Sequence, residues 1–468
     1  MRVLHEANET VLEALAEFRN SSLQESLRLI RYVVFAHVES GILMHNTLTK
    51  EIVLLEPCDN IYDNHFLQNL WLVPQDFDDS IIATKYRDWL FSTRPKTLEP
   101  NGYTVATTTD CNARCFYCYE MGLAKKKMTN ETAIDVADYM AKNYFSATEE
   151  KKRPISISWF GGEPLYNKEA IKTICNRLRE LGVPYVSTAI SNGFLFDEPT
   201  IAEAKWLWRL KKVQITIDGT EQKYNKAKNY KEPGENPFET VLNNIDNLSK
   251  NRISVNIRVN VGYYNRDDIL SLIDIISTRF KGRENVKMYV HSLFDTCGVT
   301  DVKGDEKEKA VYEAMKKMDR KLSELGINAI RPLNLSIKGA HCMADNGKHV
   351  VIQTDGKLCL CEHYVDSKHI GSIYSDEFDE KMIEHFREIT EPFSNCYKCQ
   401  IFPSCSYVKV CEDNSVRCSK YRRDYKISNV VLGLELIGKQ LTEEKKITIW
   451  HRKKVPKKTN WLMSPQAN

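Results

Sequence analysis

From residue 101 to about 330, short apolar runs alternate with amphipathic stretches. Period-two and all-apolar runs predict strands at 103–108, 155–160, 185–190, 212–217, 253–261 and 286–292. Helical spacing predicts helices at 129–145, 167–182, 198–209, 238–250, 266–280 and 305–325. Alternation of this kind requires a parallel sheet with helices outside it. Six units fall short of a closed barrel, so the expected fold is α/β, an open partial (β/α)6 barrel. Its site belongs on the face formed by the C-terminal ends of the strands.

The flanks read differently. Residues 1–100 predict a small α+β segment, with a helix from Val11 to Phe18 and strands over 30–38, 42–45 and 46–55. Two helical stretches follow, near 63–72 and 79–92. A hairpin followed by helices suits either a cap on the next domain or a module that adds an extended peptide as a further strand. Residues 335–425 lose periodicity and carry short turns at Asn346-Gly347 and Asp355-Gly356. Residues 426–438 read as a closing helix before a polar tail. The expected division is thus 1–100, 101–334, 335–425 and 426–468.

Length and composition narrow the class. At 468 residues the chain exceeds the size served by one core. With 42% hydrophobic residues, 28% charged residues and a net charge of +3, it reads as a soluble globular protein and not a nucleic-acid binder. The basic run His451–Lys458 reads as a solvated tail. No stretch approaches the roughly 20 apolar residues of a membrane span, and the N-terminus lacks a signal-peptide core. The expected location is cytoplasmic. In that reducing compartment, 14 cysteines are better explained as metal ligands than as disulfides. Three of them cluster near residue 115 and eight lie in residues 342–418. Cys58, Cys175 and Cys297 stand apart and read as ordinary small core residues.

Cys111, Cys115 and Cys118 form C-x3-C-x2-C directly after the first barrel strand. Three thiolates on one loop can hold three corners of an iron–sulfur cube and leave one iron without a protein ligand, free to bind a small molecule. A zinc site is the alternative, but a zinc knuckle normally brings a fourth Cys or His at short spacing, and none follows. Polar residues recur at the ends of later strands. Gly161-Gly162-Glu163 permits close backbone approach and supplies an acceptor for an ammonium or hydroxyl group. Ser191-Asn192-Gly193 and Asp218-Gly219 follow, then Arg258 and Asn260; Asp218 suits ribose hydroxyls and Arg258 a carboxylate. Each is weak alone, and together they mark one polar cofactor site.

On these residues the chain resembles the radical S-adenosylmethionine (SAM) enzymes. Their C-x3-C-x-Φ-C hallmark is matched by Cys111, Cys115, Tyr117 and Cys118, and their Gly-Gly-Glu motif by Gly161, Gly162 and Glu163. The resemblance implies a partial barrel and a [4Fe–4S] cluster chelated by the amino and carboxyl groups of SAM. Reductive cleavage then gives a 5′-deoxyadenosyl radical that abstracts hydrogen. It also implies Tyr117 near the adenine, Ser191 and Asp218 near the ribose or methionine moiety, and a reductant such as flavodoxin or ferredoxin.

The later cysteines resemble the SPASM domain, whose seven cysteines bind two auxiliary [4Fe–4S] clusters. By that resemblance Cys342, Cys361 and Cys411 hold one cluster, and Cys396, Cys399, Cys405 and Cys418 the other. Cys359 is a further candidate ligand for the first. This chain places five residues between Cys405 and Cys411 where the family pattern has three. Paired zinc sites remain the alternative, since C-x2-C is equally a zinc spacing. Glu362 stands where an aspartate of the sulfatase-maturing relatives is thought to act as a base.

The expected function is a maturase that makes a thioether, a carbon–carbon crosslink or another oxidative change in a ribosomally synthesised peptide. Other readings are a formylglycine-forming sulfatase-type maturase, a peptide epimerase, and a non-catalytic iron–sulfur or zinc scaffold.

Overall fold

The computed structural model describes residues 1–19, 26–293, 304–337, 342–364, 368–387, 396–402, 405 and 418–442. At the N-terminus, β1 (Arg2–His5), β3 (Val33–Val38), β4 (Gly41–Asn46) and β5 (Ile52–Leu55) form an antiparallel sheet in the order β1-β5-β4-β3. A second ribbon pairs β2 (Leu27–Leu29) with β6 (Leu72–Pro74). Around them lie α1 (Glu9–Ala14), α2 (Asn64–Gln68) and α3 (Asp79–Ser92).

The strand expected over 30–38 forms only from Val33, and Asp79 holds the turn that precedes it. This buried carboxylate accepts from both terminal nitrogens of Arg28, at 3.1 and 3.2 Å, and from the backbone of Arg31 at 3.1 Å. The chain turns there, between β2 and β3. The helix expected over 63–72 stops early because Leu70 adopts a left-handed φ of +58° before β6 begins.

All six expected barrel strands form: β7 (Gly102–Thr108), β8 (Ile155–Gly161), β9 (Tyr185–Ser191), β10 (Leu210–Thr216), β11 (Ser254–Val261) and β12 (Val286–Ser292). They pair in parallel and in sequence order, as an open sheet. Connecting them are α4 (Asn130–Ser146), α5 (Lys168–Glu180), α6 (Glu198–Trp206), α7 (Glu221–Lys228), α8 (Pro237–Lys250) and α9 (Ile269–Arg279). The helix α10 (Asp305–Glu324) follows β12. The helix α7 was not foreseen, since only Tyr224 and Ala227 interrupt its polar sequence. Trp159, Trp208 and Tyr103 anchor the core that the helices close over the sheet. No helix among the described residues is long and apolar enough to cross a membrane.

The C-terminal region departs from expectation. Where fading periodicity predicted no strands, it extends the barrel sheet. β13 (His349–Ile352) pairs in parallel with β7, from His349 opposite Gly102 to Ile352 opposite Val105. β14 (Lys357–Cys359) and β15 (Gly371–Ser372) then add antiparallel strands. With neighbours on both edges, β7 is buried at every position, as a central strand should be. Beyond lie α11 (Glu380–Arg387) and α12 (Lys420–Thr442), the latter longer than the expected closing helix.

The N-terminal unit shares its core with C-terminal elements. Cys399, Ile401, Phe402 and Leu434 pack into it. The Tyr32 hydroxyl donates to the Tyr397 carbonyl at 3.3 Å, and the Thr47 hydroxyl to the Gln400 carbonyl at 2.6 Å. On α12, a Cβ added at Gly438 would collide with the Val38 side chain of β3, so helix and strand approach closely.

Candidate active site

The cysteine loop leaves the end of β7 and is closed at its base by two threonines. The Thr108 hydroxyl donates to the Lys126 carbonyl and the Thr109 hydroxyl to the Ala124 carbonyl, each at 2.7 Å. The Lys126 amide returns a 2.7 Å bond to the Thr109 hydroxyl. Residues 109–126 are therefore a clamped loop, and Met128 re-enters the fold by donating to the Thr107 carbonyl at 2.9 Å.

On one side the loop rests on the end of β8. Gly162 donates to the Thr108 carbonyl and Glu163 to the Asp110 carbonyl, both at 3.0 Å. Gly161 has φ +127°, and a Cβ there would overlap the Thr108 carbonyl oxygen; one at Gly162 would sit 2.5 Å from the Asp110 oxygen. Only glycines allow this approach. On the other side, Arg114 donates to the Lys228 carbonyl and Lys231 to the Asn112 carbonyl, each at 2.9 Å.

Between these supports lies a cavity of about 250 Å³. Cys111, Cys115 and Cys118 line it, with Gly161, Gly162, Ser191, Asn192, Glu120 and Lys228. Burial, then the Glu163 carboxylate, pushes the Cys111 thiol up to about 12. Burial raises Cys115 as well. Thiols held this way release their protons only to a strong local cation, which is what an iron centre supplies. The donor set and the cavity thus fit an iron–sulfur group bound through these three sulfurs.

The structure gives the strand-end residues partners that the sequence did not suggest. Glu163 is fully buried. One oxygen accepts from the Ser191 hydroxyl at 2.9 Å and the Leu165 amide at 3.2 Å, the other from the Asn192 amide at 2.8 Å. Burial still lifts this carboxyl to about 7. Its carboxylate braces β8 against β9. Asp218 is likewise engaged: it accepts from the Tyr117 hydroxyl and, at 2.8 Å, from the Asn260 amide, with Lys228 Nζ at 3.6 Å. Ser191 and Asp218 therefore act first as framework. Arg258, half-buried, donates from Nε to Asn260 Oδ1 at 2.9 Å.

Sequence reasoning missed two residues, Glu120 and Lys228, and named Asn192 without its partners. Asn192 bridges to Asn112 at 2.7 Å and approaches Cys111 Sγ at 3.8 Å. Glu120 is buried beside the cysteines. Lys228, only 3% exposed, sits 3.1 Å from the Tyr117 hydroxyl. Burial opposes its charge, but Cys115 and Asp218 outweigh burial and raise its pKa. Its position in the last turn of a polar helix gave no hint of burial. Lys228→Met is expected to destabilise the chain by about 3 kcal/mol, because it leaves Asp218 buried without its cation. Urea unfolding checks this, and adding Asp218→Asn should recover part of the loss.

Comparison with known proteins bears on the domain that carries this cavity. The Radical SAM superfamily model matches residues 105–276, from β7 into α9. These residues form a radical SAM domain. The match spans little more than a third of the chain. Radical SAM cyclopropyl synthase TigE from Paramaledivibacter caminithermalis (strain DSM 15212 / CIP 107654 / DViRD3) is 24% identical over 184 residues. That match covers 35% of this chain and 37% of the relative, so little more than a third of either is compared. Among solved structures, native anSMEcpe with bound AdoMet superposes with a TM-score of 0.56 at 16% identity, over 73% of this chain and 99% of that one. The same protein with AdoMet and Kp18Cys peptide gives 0.55 at 16% identity, over 73% and 99%. At such identity the likeness speaks for the fold.

Around the radical SAM domain, Cys361 lies near the cysteine loop and Cys399, Cys405 and Cys418 gather elsewhere. Cys361 is half-buried near the cysteine loop: it and Cys118 both act on Tyr119, whose ring lies 4.7 Å from that of His363. Between them Glu362 is half-buried, and burial raises its carboxyl while Arg258 opposes the rise. Cys359 is fully buried in β14, its sulfur 3.2 Å from Gln353 Nε2 and 3.4 Å from the Cys361 carbonyl. Cys342 is exposed at the start of a short turn, where its amide donates to Asp345 Oδ1 at 3.0 Å.

The second group gathers beside the N-terminal unit. Tight turns carry Cys396, Cys399 and Cys405 through successive bonds from the Cys399 amide to the Cys396 carbonyl (2.8 Å) and the Cys405 amide to the Phe402 carbonyl (3.0 Å). Burial, then Cys405 and Cys418, pushes Cys399 up to about 11, so these three thiols share one electrostatic neighbourhood. Lys426 Nζ lies 3.5 Å from Cys405 Sγ. Cys411 and Cys297 lie outside the described residues.

Proposed function

We propose that the chain is a radical SAM maturase that oxidatively modifies a peptide. One observation carries the reading: the cavity bounded by Cys111, Cys115 and Cys118 is walled by Gly161, Gly162, Ser191 and Asn192 from the adjoining strand ends. A scaffold needs no such adjoining cavity. The shared fold with anSMEcpe, solved with AdoMet and a peptide, supports a peptide as partner. The clustering of Cys399, Cys405 and Cys418 supports residues 335–425 as the holder of auxiliary [4Fe–4S] clusters, with Cys342, Cys361 and Cys411 on one, and Cys396, Cys399, Cys405 and Cys418 on the other.

When bound, the cluster at Cys111, Cys115 and Cys118 and SAM supply a 5′-deoxyadenosyl radical able to take hydrogen from a substrate carbon. The protein's part is positional. Glu163 and the two glycines fix the end of β8 against the loop. Tyr117, Asp218 and Lys228 form a closed polar network beneath it, which excludes water and fixes the Cys115 side. Glu362 presents a carboxylate beside Arg258, suited to taking the proton from a substrate radical whose electron would pass to an auxiliary cluster held by residues 335–425. A carrier such as flavodoxin or ferredoxin would deliver the reducing electron.

The experiment uses the peptide encoded beside the gene, with reconstituted enzyme, SAM and reductant under anaerobic conditions. Crosslinking predicts a product lighter by two hydrogens. A formylglycine product in a partner protein would select the sulfatase-type reading instead. An unchanged mass that gains deuterium in heavy water would select epimerisation. Unmodified peptide alongside continuing 5′-deoxyadenosine formation counts against the peptide reading.

A further inference from the structure

We propose that three lysines at the surface of the cysteine loop, Lys125, Lys127 and Lys231, dock an acidic one-electron carrier protein. All three are exposed. One carboxylate gathers two of them: Asp110 Oδ1 lies 3.1 Å from Lys125 Nζ and 3.2 Å from Lys231 Nζ. The third joins through Tyr166, whose ring centre is 5.0 Å from Lys127 Nζ and 5.4 Å from Lys231 Nζ.

Other exposed lysines have acids of their own, as Lys142 has Asp376 and Lys151 has Glu99. Here three lysines share one carboxylate, which leaves a local positive surplus in a chain whose net charge is only +3. The surplus stands without Arg114, which lies 3.8 Å from the same Asp110 oxygen.

The patch backs directly on the cysteines. Asp110 Oδ1 also accepts the Cys111 amide, at 2.8 Å. Lys125 lines the cysteine cavity together with Met121, which is 57% exposed. An exposed apolar side chain among cations suits the small, charge-steered interfaces of redox encounters. The proposed chemistry needs an electron from outside the chain, and this exposed surface adjoins the site that receives it. In that step the carrier is oxidised by one electron and the group held by the cysteines is reduced by one, with no bond to the protein made or broken. The choice of an electron carrier as partner rests on the function proposed above. The surplus of positive charge does not.

The test measures binding of flavodoxin, an acidic one-electron carrier, to the reconstituted full chain by anaerobic calorimetry. Wild-type affinity is expected to fall as sodium chloride is raised, because exposed charges are screened. Lys125→Gln/Lys127→Gln leaves Lys231 on Asp110 and is expected to weaken binding about ten-fold, the scale of two exposed ion pairs. Formation of 5′-deoxyadenosine driven by reduced flavodoxin should fall with it. Formation driven by dithionite, which needs no docking, should not. Lys211→Gln/Lys212→Gln removes the same charge from exposed positions at the other end of β10, and should leave binding unchanged.

Equal weakening by the two double variants, salt-insensitive binding, or no binding by the wild type overturns the proposal. So does loss of the peptide encoded beside the gene with flavodoxin binding retained, which would make the patch a peptide site. Iron content and circular dichroism show whether Lys125→Gln/Lys127→Gln folds and loads. If it does not, Lys127→Gln alone carries the decision, with about three-fold weaker flavodoxin binding expected and unchanged binding overturning the proposal. Absence of 5′-deoxyadenosine from the dithionite-reduced wild type would sink the proposed function and leave the flavodoxin comparison still readable.

Discussion

Cys115→Ala is expected to lower 5′-deoxyadenosine formation by more than about 100-fold, since loss of an outer-shell contact alone costs about 10–100-fold in a metal site. Cys115 lies at the centre of the loop, its sulfur 3.9 Å from the Lys228 carbonyl, in a segment clamped on both sides. The clamps belong to Thr108, Thr109, Gly162 and Lys228, so the variant should keep its fold. The expected signature is therefore lower iron and sulfide in the barrel site, with near-normal circular dichroism and urea midpoint. Iron should not vanish, because Cys399, Cys405 and Cys418 form a separate group. Wild-type deoxyadenosine formation in this variant would exclude the loop as the reactive site.

Gly161→Ala tests the same site through the backbone. At φ +127° an L-residue is strained, and the added methyl would overlap the Thr108 carbonyl, which accepts the Gly162 amide. Strain and overpacking together are expected to cost about 2–5 kcal/mol. Relief requires β8 to withdraw from the cysteine loop, so iron retention should fall along with the unfolding midpoint. Gly182 is the control: it too has a positive φ, +69°, but no atom lies within 4 Å of an added Cβ. Gly182→Asn, with a residue that tolerates this conformation, should cost well under about 1 kcal/mol. Equal effects at the two positions would show that the approach of β8 to the loop is not what Gly161 protects.

The barrel was legible because most of its strands alternate buried and less buried positions and its helices close over them, so the elements carry their own signals. The cysteine trio was legible through spacing, and Gly161-Gly162-Glu163 through composition. What escaped depends on contacts distant in sequence. β13 is four residues long and is made a strand by β7, almost 250 residues earlier in the chain. The turn between β2 and β3 is held by Asp79, and the union of the N-terminal unit with Cys399 and Leu434 comes from tertiary packing. At the site, sequence showed which polar residues gather but not how they pair. Glu163 and Asp218 turned out to be satisfied by the protein itself, and Lys228 to be buried from a polar helix.

The most direct measurement is cofactor analysis joined to SAM cleavage by the wild-type chain. Anaerobically reconstituted protein, given dithionite and SAM, is expected to contain iron and sulfide and to release 5′-deoxyadenosine and methionine in equal amounts. Zinc in place of iron, or iron-loaded protein that leaves SAM intact, would contradict the account.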